Sequence, residues 1–262
     1  MSEVKNYEPG TPSWVDLATT DAEASRQFYG ELMGWSFDVG GSETGGYAMA
    51  KVRDLNVAGQ MEINADMRAQ GVPPSWTTYI SVSDAERVAE QVKSAGGQVM
   101  MGPMDVMEYG RMAIAQDPTG AVFGLWQPGT HIGAQLVNEP GGVVWNHLAT
   151  PDPSAAGAFY EALGWSLEQM DMGGTPQTMF KVGDRTVAGM GDIKDYPPGT
   201  PPHWDTFFAV SDCDAVATRV PELGGTVLVP PTDMPFGRFA AIQDPQGAVF
   251  SVVKMPEDSQ SS

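Results

Sequence analysis

The sequence predicts an α+β chain made of one module used twice, and three observations predict it. Pairs of motifs recur along the whole length at a slowly drifting offset. Each repeat alternates short period-two apolar runs with two capped helical stretches. Each repeat also closes on an Asp-Pro-x-Gly turn. Trp14 matches Trp145 and Phe28-Tyr29 matches Phe159-Tyr160, both at an offset of 131. Gly34-Trp35-Ser36 matches Gly164-Trp165-Ser166, and Val57-Ala58-Gly59 matches Val187-Ala188-Gly189, at 130. Trp76 pairs with Trp204 and Gly96-Gly97 with Gly224-Gly225 at 128, then Gly110-Arg111 with Gly237-Arg238 and Asp117-Pro118 with Asp244-Pro245 at 127. A drift without a jump is what a duplicated module with small loop deletions gives. The modules span 10–127 and 142–255, and the Gly- and Pro-containing stretch 128–141 reads as a linker.

The elements follow in the same order in each module. A strand at Trp14–Thr19 alternates apolar and polar residues. Asp21 caps a helix whose Ala24, Phe28 and Leu32 share one face, and Gly34 stops it. Strands follow near Trp35–Val39, Tyr47–Val52 and Val57–Ile63. A Pro-containing loop from Ala65 to Ser75 leads to a strand at Trp76–Val82. Asp84 caps the second helix, which ends at Gly96-Gly97, and strands near Gln98–Met101, Arg111–Gln116 and Ala121–Trp126 complete the module. Pro and Gly in Asp117-Pro118-Thr119-Gly120 suit the tight turn between the last two strands. The order is β-α-β-β-β, twice per module.

Composition narrows the partners. The 262 residues carry 33 acidic and 14 basic side chains, a formal charge of -19, so nucleic acid and anionic membrane surfaces are excluded as expected partners. A single cysteine, Cys213, cannot form an internal disulfide, and its carboxylate neighbours disfavour a thiolate. No run of 18 apolar residues suggests a membrane helix, and Met1–Asn6 has no signal-peptide core. The polar tail from Pro256 to Ser262 reads as a frayed end. A cytoplasmic protein, monomeric or weakly dimeric, with a small-molecule ligand is the expectation. The glycine-rich stretch from Gly40 to Gly46 opens no helix and does not read as a phosphate loop.

The Asp-x-x-x-x-x-x-Phe-Tyr signature at Asp21…Phe28-Tyr29 and Asp152…Phe159-Tyr160, with the Asp-Pro-x-Gly turns at Asp117 and Asp244, resembles the vicinal oxygen chelate (glyoxalase/bleomycin-resistance/dioxygenase) superfamily. The similarity runs from about Pro12 to Lys254. The stretch from Gly10 to Asp21 is similar to an actinobacterial two-module group described as glyoxalase-like or, provisionally, as hydroxylases, found near aromatic polyketide pathways. The resemblance implies tandem βαβββ pairs forming curved mixed sheets around internal cavities, with helices outside. It also implies a divalent metal that chelates two neighbouring substrate oxygens.

The family's ligand positions carry few ligands here. They fall at Trp14, Thr77 and Gly124 in module one, and at Trp145, Asp205 and Ser251 in module two. Gln60, Glu62 and Asp192 on a further strand are additional candidates. Loss of the metal, and no other cofactor, is the main expectation; a His147–His203–Asp205 metal cluster is the alternative. Strand parity directs Trp14, Asp16, Thr77, Tyr79, Gly124 and Trp126 into one cavity, and Trp145, His147, Asp205, Phe207 and Ser251 into the other. These aromatic groups either plug the cavities or offer a platform to a flat, oxygenated ligand.

His147 and Asp16 hold matching positions and are the catalytic candidates. His147 is the better acid–base group. Trp14, Thr77, Tyr79, Trp126, Trp145, His203, Asp205 and Phe207 are the binding candidates. Arg111 and Arg238, which match each other, either hold a ligand carboxylate or phenolate or form surface salt bridges. His131, in the linker, reads as solvated. The methionines from Met100 to Met112 offer a soft apolar surface or ordinary packing. Three functions compete: a metal-independent enzyme, a metabolite- or antibiotic-sequestering protein, and a lyase or dioxygenase with displaced metal ligands.

Overall fold

A computed structural model of the chain describes residues 3–171 and 176–256. The polar tail beyond Pro256 and the residues Met1 and Ser2 lie outside the described residues. Module one contains β1 (Pro12–Thr19), α1 (Ala22–Met33), β2 (Ser36–Val39), β3 (Ala48–Val52) and β4 (Leu55–Glu62), then α2 (Ala65–Ala69). Its second half is β5 (Ser75–Ser81), α3 (Ala85–Ser94), β6 (Gln98–Val106), β7 (Gly110–Gln116) and β8 (Val122–Pro128). Module two repeats the order with β9 (Val143–Thr150), α4 (Pro153–Ala162), β10 (Ser166–Asp171), β11 (Pro176–Val182) and β12 (Arg185–Asp192). It ends with β13 (His203–Ala209), α5 (Cys213–Glu222), β14 (Thr226–Met234), β15 (Gly237–Gln243) and β16 (Val249–Lys254).

The anticipated caps are present. The carboxylates of Asp21, Asp84, Asp152 and Asp212 each accept from a backbone N–H at the start of their helix. Two local readings change. The loop after β4 contains the short helix α2, because Asn64 caps it through the Met67 N–H at 2.9 Å. The strand after α3 runs on to Val106, beyond a register shift between Met101 and Met104.

Each module forms one eight-stranded mixed sheet, in the order β2-β3-β4-β1-β5-β8-β7-β6 and β10-β11-β12-β9-β13-β16-β15-β14. The two halves of a sheet meet where β1 runs antiparallel to β5, and β9 to β13. Neither sheet closes into a barrel; each has two free edges. One face of each sheet carries the helices and the other is open.

The helix-bearing faces turn toward each other and share two cores. One joins Val15, Leu17, Phe28 and Tyr29 of module one to Phe208, Val220, Ile242 and Phe250 of module two. The other joins Val88, Phe123 and Leu125 to Phe159, Tyr160 and Phe180. Trp35, Trp76, Trp165 and Trp204 are buried in these cores.

The two signature motifs of the sequence meet across this interface. Tyr29 donates its hydroxyl to Asp244 Oδ2 at 3.1 Å, and Tyr160 donates to Asp117 Oδ2 at 3.2 Å. Trp76 and Trp204 donate their indole N–H to the same two tyrosine oxygens, at 3.1 and 2.9 Å. The other carboxylate oxygen of each Asp accepts backbone N–H groups of its own turn. Each module therefore completes the hydrogen bonding of the other.

Candidate functional site

Alternation along the strands decides what reaches the open faces. Trp14 pairs with Tyr79 and Asp16 with Thr77 across β1 and β5, and Tyr79 pairs with Gly124 of β8. In module two Trp145 pairs with Phe207, His147 with Asp205, and Phe207 with Ser251. The two sets occupy equivalent places, yet their environments differ.

In module one the face is filled. Trp14 Nε1 donates to Asp16 Oδ1 at 2.7 Å and also lies 3.0 Å from the Tyr47 hydroxyl oxygen. Tyr47 donates to the same carboxylate oxygen, and Tyr79 adds another hydrogen bond. Burial raises the Asp16 pKa against these donors, and burial followed by the Asp16 charge holds both tyrosines protonated. Trp14, Tyr79 and Trp126 form a buried cluster with Ala134 of the linker.

His131 is not solvated, as its linker position had suggested. Its ring packs edge-on against Trp14 at 4.5 Å and against Trp126 at 5.6 Å, and its backbone carbonyl accepts from Trp126 Nε1 at 2.8 Å. Burial lowers its pKa to about 4. The cause is the path of the linker, which crosses the ends of β1 and β4 through bonds from Ala134 N to Ser13 O and from Gln135 N to Asn56 O. Gly133 permits that crossing: its φ is +113°, and a Cβ there would stand 2.3 Å from Ser13 O.

In module two the equivalents of Tyr47 and Trp126 are Gln177 and Val253, and the packed aromatic plug is gone. Trp145, His147 and His203 are half-buried on this face, beside the buried Asp205. Ser251 donates to Asp205 Oδ2 at 2.9 Å, whereas Asp205 Oδ1 is buried with no partner. Burial raises the Asp205 pKa to about 6, opposed by the nearby His203 and the Ser251 hydroxyl. His203 Nδ1 lies 2.9 Å from Pro201 O and its ring packs edge-on against Tyr196 at 5.5 Å.

His147 rests against two glycines of β12. A Cβ at Gly189 would stand 2.7 Å from its Nδ1, and one at Gly191 would stand 2.9 Å from its Nε2. Burial, then the neighbouring His203, lowers the His147 pKa to about 4, so the ring is neutral near pH 7. Phe207, Phe236 and Phe239 flank the polar group, with centroids 6.1–6.4 Å apart.

Of the two readings of the matched arginines, the structure shows the salt bridges. Arg111 pairs with Glu86 and Asp105, and Arg238 with Asp214 and Asp233. Both lie on the helix side of their strands, on the parity of the core residues Ala113 and Ala115, and of Ala240 and Ile242. The further metal-ligand candidates also leave the open faces. Gln60 donates to Ala22 O, Glu62 pairs with Arg68, and Asp192 caps a turn and pairs with Lys194. The residues Gly59 and Gly189 take the open-face places instead. Met100, Met101, Met104 and Met107 are exposed on β6 and the turn after it.

The family's metal does not fit these side chains. Indoles stand at two of its positions, and at a third Gly124 has no room for a carboxylate, since even a Cβ would lie 2.1 Å from the Tyr79 ring. Among the described residues no three His, Cys, Asp or Glu side chains are grouped to hold an ion. The arrangement in module two can accept hydrogen bonds, stack an aromatic ring and exchange a proton.

Sequence parity missed Gln177, Tyr196, Phe236 and Phe239. Applying the same alternation to β11 and β15 finds Gln177 and Phe239. Tyr196 follows a 3-10 turn and has no such signal.

Comparison with known proteins agrees with this architecture. The family model described as "Glyoxalase/Bleomycin resistance protein/Dioxygenase superfamily" matches residues 11–125 and again 131–252. The chain is 44% identical over 259 residues to "Putative glyoxylase CFP32" of Mycobacterium tuberculosis, covering 97% of this chain and 98% of that one. It is 38% identical over 263 residues to "Anthracycline biosynthesis protein DnrV" of Streptomyces peucetius, covering 96% and 95%. Among solved structures, the 2,3-dioxygenase LapB from Pseudomonas sp. KL28 aligns with a TM-score of 0.64 at 16% identity, over 97% of this chain and 96% of that one. The Mn(II)-bound glyoxalase from Novosphingobium aromaticivorans aligns at 0.63 and 14% identity, over 94% and 82%. At such identities the structural likeness speaks for the fold. No helix among the described residues is long and apolar enough to cross a membrane.

Proposed function

Because the chain belongs to the Glyoxalase/Bleomycin resistance protein/Dioxygenase superfamily, we propose that it keeps the family's cavity and uses it without the family's metal. In this reading module two binds a small, oxygenated aromatic metabolite of polyketide type. Module one serves as a filled scaffold. The observation that carries the reading is the contrast between Asp16, whose Oδ1 accepts from both Trp14 and Tyr47, and Asp205, whose buried Oδ1 accepts no hydrogen bond. A buried polar atom without a partner costs about 1–3 kcal/mol, so its retention points to a role. The aromatic wall of Trp145, Phe207 and Phe239 suits a flat ring. Likeness to proteins named for anthracycline biosynthesis supports a fused-ring ligand.

The chemistry available is proton exchange. His147 is a neutral imidazole on its glycine shelf and accepts a proton or a hydrogen bond. Asp205 stands directly opposite it across the strand pair. Sequestration of an aromatic compound uses the same face without turnover, so turnover assays with His147→Gln separate the two.

Calorimetry on protein treated with chelator tests the proposal, using a panel of planar hydroxylated polycyclic aromatics. The expected result is one binding site per chain, unaffected by the chelator and lost in Trp145→Ala. Affinity that requires an added divalent ion, or no binding anywhere in the panel, refutes it.

A further inference from the structure

The buried carboxylate on the open face of module two is only half answered. Asp205 Oδ1 is an acceptor without a donor, and the whole residue is 7% exposed. His203 Nδ1 lies 2.9 Å from the Pro201 carbonyl oxygen, which can only accept, so Nδ1 carries a proton. His147 finds no protein hydrogen bond among the described residues. Gln177 brings its Oε1 near the same shelf, 3.7 Å from where a Gly191 Cβ would be. Asp205 Oδ1 is therefore left over by the one hydroxyl that reaches this carboxylate, that of Ser251, which is already spent on Oδ2.

The carboxylate also lacks a counter-ion. Among the described residues no Lys, Arg or His nitrogen makes an ion pair with Asp205, and the nearest charge acting on it is that of His203. A buried carboxylate is costly unless a positive group joins it. The chain's charge of -19 draws cations toward it. Half-buried Trp145 and the rings of Tyr196 and Phe207 stand beside the acceptors, and aromatic faces favour a cation.

We infer that the ligand of module two carries a positively charged amine, with Asp205 as its counter-ion. The inference rests on the reading of this face as the binding site and adds the charge of the ligand. A primary ammonium brings both a positive charge and N–H donors to the unpartnered Asp205 Oδ1. A neutral hydroxyl satisfies one acceptor and leaves the charge uncompensated.

The test compares two probes of the same outline, naphthylmethylamine and naphthylmethanol, by calorimetry at fixed ionic strength. On the native chain the amine binds at least tenfold more tightly than the alcohol. Asp205→Asn reduces that preference to within about twofold, whereas Glu43→Gln, which removes one exposed charge elsewhere, leaves it intact. Equal affinity for the two probes on the native chain overturns the inference but leaves the aromatic site standing. A preference that survives Asp205→Asn also overturns it. If neither probe binds, the site itself is refuted. The native-chain comparison holds even if the variant folds poorly.

Discussion

The open faces of the two modules start from the same backbone and end as opposites. In module one Asp16 Oδ1 accepts from both Trp14 and Tyr47, and His131 of the linker packs edge-on against Trp14 and Trp126. In module two the same strand positions hold His147, Asp205 and Ser251, and one carboxylate oxygen goes unanswered. Their backs do not diverge: Tyr29–Asp244 and Tyr160–Asp117 are near copies. The same strand positions are packed shut in module one and left half-answered in module two, the face proposed to take a ligand.

The sharpest way to break this contrast is to remove the matched tryptophans. Trp14→Ala empties a packed cluster and is expected to cost about 3–5 kcal/mol in urea unfolding. Trp145→Ala, at a half-exposed position, costs less than half of that and lowers aromatic-ligand affinity more than tenfold. Equal stability losses would refute the division of labour. Next come the backs, where symmetry is expected. Tyr29→Phe and Tyr160→Phe each leave a buried indole N–H and a carboxylate oxygen short of a partner, at about 1–3 kcal/mol apiece. A large inequality between them would show that the interface is not shared evenly.

The carboxylates then separate the faces by pH. The fold raises Asp205 from 3.8 to about 6, so it prefers the protonated acid. That contribution is complete below pH 3.8 and is lost as the pH rises through about 6. Asp205→Asn is therefore expected to stabilise the protein at pH 8, by about 1–3 kcal/mol, and to do little at pH 4. Burial shifts Asp16 in the same upward sense, so its donors from Trp14 and Tyr47 are expected to make Asp16→Asn less stabilising at pH 8 than Asp205→Asn in the same unfolding measurement.

The histidines act in the opposite sense. His131 and His147 are lowered from 6.5 to about 4, so the unfolded chain takes up protons that the folded chain refuses. Stability is full above pH 6.5 and falls between about 6.5 and 4. His131→Gln and His147→Gln each flatten that fall, and imidazole titration by NMR reads the two values directly. Smallest of all, Arg111→Ala and Arg238→Ala change stability by about 1 kcal/mol or less and leave ligand affinity unchanged. A loss of affinity would return the guanidinium groups to the binding face.

The duplication, the caps and the β-α-β-β-β order were legible because each is a local or periodic signal. Asp21, Asp84 and the Asp-Pro-x-Gly turns act on backbone a few residues away. Parity also told which side of a strand Trp14 or His147 occupies. It could not tell whether the space there is filled, because the filling arrives from elsewhere in the chain. Tyr47 shares the alternation of its strand with Met49 and could have been found that way, whereas His131 comes from the linker and has no periodicity to betray its target. Arg111 was left between two readings for a different reason. Its alternation with Ala113 and Ala115 already assigned it to the helix side, but proximity to the sheet rim suggested a ligand role. Tyr196 was out of reach, since a short turn carries no facial pattern.

The crossed tyrosine–aspartate bonds have a consequence for the chain as a whole. Half of it, expressed alone, would carry a buried-type carboxylate turn and a Phe-Tyr helix with nothing to receive either. Such a fragment has the complementary parts of its own missing neighbour, and would find them in a second fragment of the same kind. Fusion into a single polypeptide removes the need for the two fragments to be identical. Once tethered, either one is free to lose its inherited chemistry without the other following.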